Sequence, residues 1–329
     1  MAVSVAMYAN SYGRIKDRLD ALRLDVDIVT FGLDGKFEID GARVDPAGVD
    51  LDYLWLSPEL SLEGGLRTAF EVALRCRSIK VLQTFNAGLD APAYKQIAAK
   101  GVRICNSSAQ AIGIAEYVMA QVLALFQPLA EQRELQARRT WQRTPFREIA
   151  GTNWLILGFG PIGRAIAQRA KGFAARVHVV RRTPETGATV DRAGTIADLP
   201  TFLPAADVVV LACPLNDATR GLANKAFFDA IKPGAVLVNI ARGGLIDDAA
   251  LRQALDEGRL AAAVLDVFRT EPLPADDPLW THPKIRLTSH TSFSGDGVRR
   301  RWEQLFLDNL PRFVRGEALL NEVDPKDLA

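Results

Sequence analysis

Three side chains late in the sequence have types and spacing suited to a single reaction: Arg242, Glu271 and His290, separated by 29 and 19 residues. Arg242 follows an apolar run in VNIARGGLIDDAAL, Glu271 lies in the loop of AVLDVFRTEPLP, and His290 comes after the last such run in IRLTSHTSF. Each run reads as a strand, and α/β sheets hold ligands at the carboxyl ends of their parallel strands. A guanidinium fork grips a carboxylate and polarises the carbonyl beside it. An imidazole, ordinarily titrating near pH ~6.5, gives a proton to a carbonyl oxygen as hydride arrives and takes it back in the reverse direction. A neighbouring carboxylate favours imidazolium and orients the ring. Together the three suit reduction of a 2-oxo acid. Singly, each has a plainer reading: Arg242 as a surface charge, Glu271 as a polar loop residue, His290 as a packed or solvated ring. His178, inside a strand, and His282, in the WTHPK turn, take such structural readings, and Asp247 reads as a helix N-cap.

Hydride transfer needs a donor, and LGFGPIGRAIAQRA supplies a place for one. Gly158, Gly160 and Gly163, with Pro161 and Ile162 among them, follow the strand-like LIL and lead into an amphipathic helix. The three glycines serve a tight turn, close approach of a pyrophosphate to the backbone, and close packing of helix on strand. The pattern alone is weak; its place at the head of six strand-like runs makes it a dinucleotide loop. An NAD site would put Asp or Glu about 20 residues further on, to accept from the ribose hydroxyls. VHVVRRTPETG instead delivers Arg181, Arg182 and Thr183. Guanidinium groups bind the extra phosphate of NADP, which a carboxylate would repel. The expected cofactor is therefore NADP in preference to NAD. The other reading is a pair of solvated strand-end charges.

The elements that must position these residues form two alternating series. VSVAMY, VDIVTF, LDYLWL, IKVLQTF and VRICNS make the first; NWLILG, RVHVVR, DVVVLA, AVLVNI, AAAVLDV and IRLT make the second. Strands alternating with helical patterns predict βαβ units around parallel sheets, and the near-continuous apolar runs predict burial on both faces. A long apolar helix over 109–126 reads as packed on two sides. A polar, arginine-rich stretch (131–151) separates the series, and a helical pattern over 297–316 closes the chain. At 329 residues and 48% hydrophobic, two domains are expected. Forty basic against 39 acidic side chains point to no nucleic-acid or anionic-membrane partner. No apolar run approaches the roughly 20 residues of a membrane span and no signal-peptide pattern opens the chain, so a soluble protein is expected. Cys76, Cys105 and Cys213, without CxxC spacing, read as buried thiols of a reducing compartment, with no metal site.

The segments ARGGLIDDAAL, LDVFRTEPLP and SH, at this spacing, resemble the D-isomer-specific 2-hydroxyacid dehydrogenase family over nearly the whole chain. The resemblance implies that Arg242 binds substrate, that Glu271 and His290 form the acid/base pair, and that Asp266 contacts the nicotinamide end of the cofactor. It implies two doubly wound parallel-sheet domains. A Rossmann cofactor domain (104–290) is inserted in a flavodoxin-like substrate domain (1–103 and 291–329). Cys213, Pro214 and Ala241 are counted with the cofactor contacts. At FNAGLD, amides around Ala87 and Gly88 would hold the substrate carboxylate, with Asn86 adding a polar contact or simply forming the turn; Trp55 and Ser57 would line the pocket. Thr291 and Ser292 depart from the apolar and small residues usual in the family after the histidine. The long helix matches the family's dimer-forming region, implying a cytoplasmic homodimer.

Within the family, formate dehydrogenases have Gln at the place of Glu271, and phosphoglycerate dehydrogenases often add regulatory domains, whereas only 39 residues follow His290. The strand-end arginines resemble those of NADP-preferring glyoxylate and hydroxypyruvate reductases, so a small 2-oxo acid of that kind is the expected substrate. A cofactor-sensing regulatory protein of corepressor type on the same scaffold is the competing reading. An unrelated substrate such as phosphite would need further anion-binding arginines.

Overall fold

A computed structural model gives the structure of the protein, described for residues 2–39 and 41–328. The chain divides into two units, Met1–Gln110 with Asp296–Ala329, and Ala111–Gly295. Both boundaries lie a few residues beyond those expected at 103/104 and 290/291, for a local reason. Asn106 and Ser107 donate backbone N–H groups to Asn321 and Asn86, tying the segment after residue 103 to the first unit. The amides of Thr291 and Ser292 are held by Asp266, tying the segment after His290 to the second.

The first unit is built on strands β1 (Val3–Tyr8), β2 (Val26–Phe31), β3 (Phe37–Ile39), β4 (Ala42–Val44), β5 (Asp50–Leu56), β6 (Ser78–Thr84) and β7 (Arg103–Cys105), in the order β4-β3-β2-β1-β5-β6-β7. The parallel part, β2-β1-β5-β6-β7, has the flavodoxin-like order. The antiparallel β3–β4 hairpin extends this parallel sheet at its edge. On one face, Val5, Met7, Tyr53, Trp55 and Val81 meet the closing helix Val298–Val314. That helix presents Trp302, Phe306 and Leu310 at four-residue spacing, one stripe of its surface. Trp55 stacks on Phe306 with ring centroids 4.4 Å apart, and each such side chain stabilises the unit by about 1.5–3 kcal/mol through burial.

The second unit holds β8 (Asn153–Leu157), β9 (Arg176–Val180), β10 (Arg192–Gly194), β11 (Val208–Leu211), β12 (Ala235–Asn239), β13 (Leu260–Leu265) and β14 (Ile285–Leu287). All pair in parallel in the order β10-β9-β8-β11-β12-β13-β14, the Rossmann arrangement extended by one strand. Successive residues serve opposite faces: Leu155 and Leu157 join one core, Trp154 and Ile156 the other. The long helix Ala111–Phe126 buries Ile114, Ala115, Val118 and Val122 in the second of these cores, beside Ile166 and Ala170 of helix Pro161–Gly172, while Ile112 stays exposed. Among the described residues, no single helix is long and apolar enough to cross a membrane.

At the amino end of this sheet, Asp207 is only 5% exposed. Arg147 Nη2 and Lys232 Nζ each lie 2.6 Å from its Oδ1, and the Asn153 N–H donates to Oδ2 at 2.8 Å. Burial disfavours the charged form, yet the Asn153 amide and the two cations outweigh it and hold the carboxyl below the usual aspartate value. A depressed folded value stabilises above the unfolded value near ~4 and loses that contribution as pH falls through the folded one. Asp207→Asn is therefore expected to cost about 1–3 kcal/mol in urea unfolding at pH 7, with the gap closing towards pH 3. An equal gap at both pH values would contradict this account.

Candidate active site

The glycine turn forms where β8 ends. Gly158 adopts φ 100°, and a side chain there would run into the Ala212 carbonyl and the Cys213 backbone. A Cβ on Gly163 would strike the Gly158 carbonyl, so the helix can sit this close to the strand only with glycine. Gly160 differs: it is the N-cap of helix Pro161–Gly172, and the space where its Cβ would stand is open for 4 Å. The first amides of a helix lack intrahelical partners and suit an anion. The Gly158 N–H donates to Val180 O at 2.8 Å, which puts Arg181, the next residue of the chain, beside the turn. Arg181 Nη1 lies 3.4 Å from Glu185 Oε2, and Arg182 and Thr183 follow in an exposed loop. These residues fit a dinucleotide: an open cradle for its pyrophosphate, with cations at the strand end. Cys213 is half-buried rather than buried, and burial pushes its thiol up to about 11.

Arg242 sits in extended backbone immediately before the turn Gly243–Leu245, past β12. The side chain of Asn239, fully buried at the end of that strand, clasps the segment, donating to Arg242 O at 2.9 Å and accepting from Ala241 N at 3.1 Å. A Cβ on Gly243 would collide with the Phe268 carbonyl and Arg269 N, so the arginine turn rests directly on the loop after β13. In that loop the Phe268 N–H donates to Glu271 Oε1 at 2.9 Å, and Glu271 Oε2 lies 2.7 Å from His290 Nδ1. Glu271 thus orients the ring and leaves Nε2 as the nitrogen free for chemistry. The His290 side chain is 41% exposed, within reach of a ligand, and Phe293 meets the ring edge-on. His290 takes φ 48°, the left-handed region uncommon outside glycine. Among the described residues no group of His, Cys, Asp or Glu could hold a metal ion.

The other expected site residues have the following surroundings, each within its own unit. Trp55 is 1% exposed and Ser57 0%. Alternation along β5 turns Trp55 onto Phe306, and the Ser57 hydroxyl is engaged with Ser11 Oγ at 2.5 Å. Asn86 Nδ2 donates to Tyr94 Oη at 2.7 Å. The backbone around Ala87 and Gly88 is fixed within its unit: Gln110 and Trp302 donate to Phe85 O, and Asn106 donates to Ala87 O at 2.8 Å. Asp266 is wholly buried, and its carboxylate accepts hydrogen bonds from the loop around His290. Asn239, Thr288 and Tyr117 were missed. Asn239 ends an otherwise apolar strand, and that polar interruption was its one mark.

Residues 119–292 match the family model described as D-isomer specific 2-hydroxyacid dehydrogenase, NAD binding domain. The chain is 32% identical over 254 residues to D-3-phosphoglycerate dehydrogenase of Bacillus subtilis, covering 75% of this chain and 47% of that protein. It therefore spans about half the length of that relative. It is 31% identical over 253 residues to human glyoxylate reductase/hydroxypyruvate reductase, covering 75% of this chain and 77% of the relative. Among solved structures, a D-isomer specific 2-hydroxyacid dehydrogenase from Xanthobacter autotrophicus Py2, in complex with NADPH and MES, superposes with a TM-score of 0.77 at 27% identity. That match covers 100% of this chain and 99% of the other.

Proposed function

The chain belongs to the D-isomer specific 2-hydroxyacid dehydrogenase family, and we propose that it reduces a small 2-oxo acid of the glyoxylate or hydroxypyruvate kind to the D-2-hydroxy acid, using NADPH. The observation that carries this reading is the Glu271–His290 pair at 2.7 Å, on loops at the carboxyl ends of the strands that also bear the glycine turn. When bound, the nicotinamide supplies the hydride. The rest is the work of the protein's own residues. Arg242 draws the substrate by its carboxylate and polarises the adjacent carbonyl. His290 delivers a proton from Nε2 to the carbonyl oxygen, while Glu271 holds Nδ1–H and steadies the imidazolium. Gly160 and the first turn after it take the pyrophosphate, and Arg181 and Arg182 the 2′-phosphate. We further propose a homodimer; what supports it is an open, mainly apolar groove along the long helix, lined by Met119, Ala120, Leu123 and Phe173 together with the paired Glu116 and Arg169.

Steady-state assays with NADPH and NADH across glyoxylate, hydroxypyruvate, pyruvate and phenylpyruvate test the reading. NADPH is expected to give the higher kcat/KM, and glyoxylate or hydroxypyruvate to be the better acceptors. The double variant Arg181→Ala, Arg182→Ala should raise the KM for NADPH by about 10- to 100-fold, as charge-assisted hydrogen bonds of about 1.5–3 kcal/mol are lost, and leave NADH within twofold. Equal loss with both cofactors would refute the role given to the arginines.

A further inference from the structure

We propose that Tyr117 and Thr288 are positioning residues for the proton-donating imidazole, acting through the buried carboxylate of Asp266; the inference rests on the reading of His290 as the acid. A carboxylate only accepts, so the Thr288 hydroxyl, 2.5 Å from Asp266 Oδ1, donates to it. Its single proton spent, Thr288 Oγ1 accepts from the Tyr117 hydroxyl at 2.7 Å. The direction of the relay is thereby set, from the long helix through the end of the β14 segment to the carboxylate. Burial pushes the Tyr117 phenol up, so its donor proton is retained.

Asp266 then grips the chain next to His290 from several sides. Its Oδ1 also accepts from Thr291 N at 2.8 Å and its Oδ2 from Ser292 N at 3.0 Å, while its backbone carbonyl accepts from His290 N at 2.8 Å. A histidine with φ 48° persists only where its surroundings over-determine it, and these bonds do so. One turn before Tyr117, on the same helix face, Gly113 lies beside the Gly295 backbone, with Gly295 N 3.5 Å from where a Gly113 Cβ would stand. The far end of the histidine loop is thus seated on the helix that sends the hydroxyl.

Thr288→Val removes the hydroxyl at constant volume, Thr288→Ser keeps it, and Tyr117→Phe deletes the first donor. Kinetics, NADPH binding and thermal melting are to be measured on each full-length variant, with His290→Gln as the control. Thr288→Val should lower kcat by roughly 10- to 100-fold, since a misplaced group can cost on the order of a hundredfold, with the KM for the oxo acid and the Kd for NADPH within about twofold. Thr288→Ser should stay within about threefold of the parent, and Tyr117→Phe should lose about three- to tenfold in kcat alone. A Thr288→Val enzyme with parental kcat, or a serine variant as impaired as the valine one, overturns the inference. Should the valine variant fail to fold, unchanged kcat in Tyr117→Phe overturns it equally. A fully active His290→Gln enzyme would instead sink the reading of the site itself.

Discussion

His290→Gln is expected to lower kcat for 2-oxo acid reduction by about 10²- to 10⁴-fold, the range set by a positioned general acid, while the Kd for NADPH stays within about twofold. Glutamine keeps polar atoms of similar reach, so packing beside Phe293 survives, but it has no proton to release at the required point. A thousandfold loss corresponds to about 4 kcal/mol of transition-state stabilisation. Glu271→Gln should fall between this variant and the parent: its amide still fills the space 2.7 Å from Nδ1 but no longer supplies the charge that favours imidazolium. Stopped-flow absorbance of the reduced cofactor reads both variants. Retention of a tenth or more of kcat in His290→Gln would remove the imidazole from the chemistry.

Arg242→Lys should lower kcat/KM for the oxo acid by about 10²- to 10³-fold although the charge is kept. Lysine is a point charge on a flexible stem and cannot present two parallel donors to a carboxylate. Two charge-assisted bonds of about 1.5–3 kcal/mol each, one of them partly replaced, account for that size of effect. Much of the loss should appear in KM, because the carboxylate is gripped in ground state and transition state alike. The Asn239 clasp holds only the backbone of Arg242, so the turn is expected to stay in place and cofactor binding to be unaffected. A variant whose KM for NADPH rose while that for the oxo acid did not would reassign Arg242 to the cofactor.

Much of this arrangement was legible in the residues themselves. Strands buried on both faces must be continuous apolar runs, which is why the positions of β8, β9, β11, β12, β13 and β14 could be read and why the side chains following them were recognised as a set. The hairpin β3–β4 escaped because each strand is three residues long, too short for alternation to register. For Trp55, Ser57 and Asp266, position along the chain was legible but orientation was not. Nearness to a strand end is written in the sequence, but which way a side chain turns depends on the register of the strand against its neighbours. For Trp55 the deciding neighbour is Phe306, some 250 positions away in the chain. The left-handed backbone of His290 has no mark of its own either, since histidine there is held by Asp266, Thr291 and Ser292 rather than by any glycine.

The first unit is assembled from segments on both sides of the second in sequence, and this bears on how the protein is made. Residues 1–110 leave the ribosome before the second unit, but the aromatic surface around Trp55 has no stacking partner until Phe306 has emerged. At ~5–20 residues per second, the 185 residues of the intervening unit, Ala111–Gly295, take roughly 10–40 s to synthesise. That unit is contiguous and can close as soon as it is out. The earlier-born segment must wait with an apolar face uncovered, so nascent-chain protection is needed there rather than at the contiguous second unit.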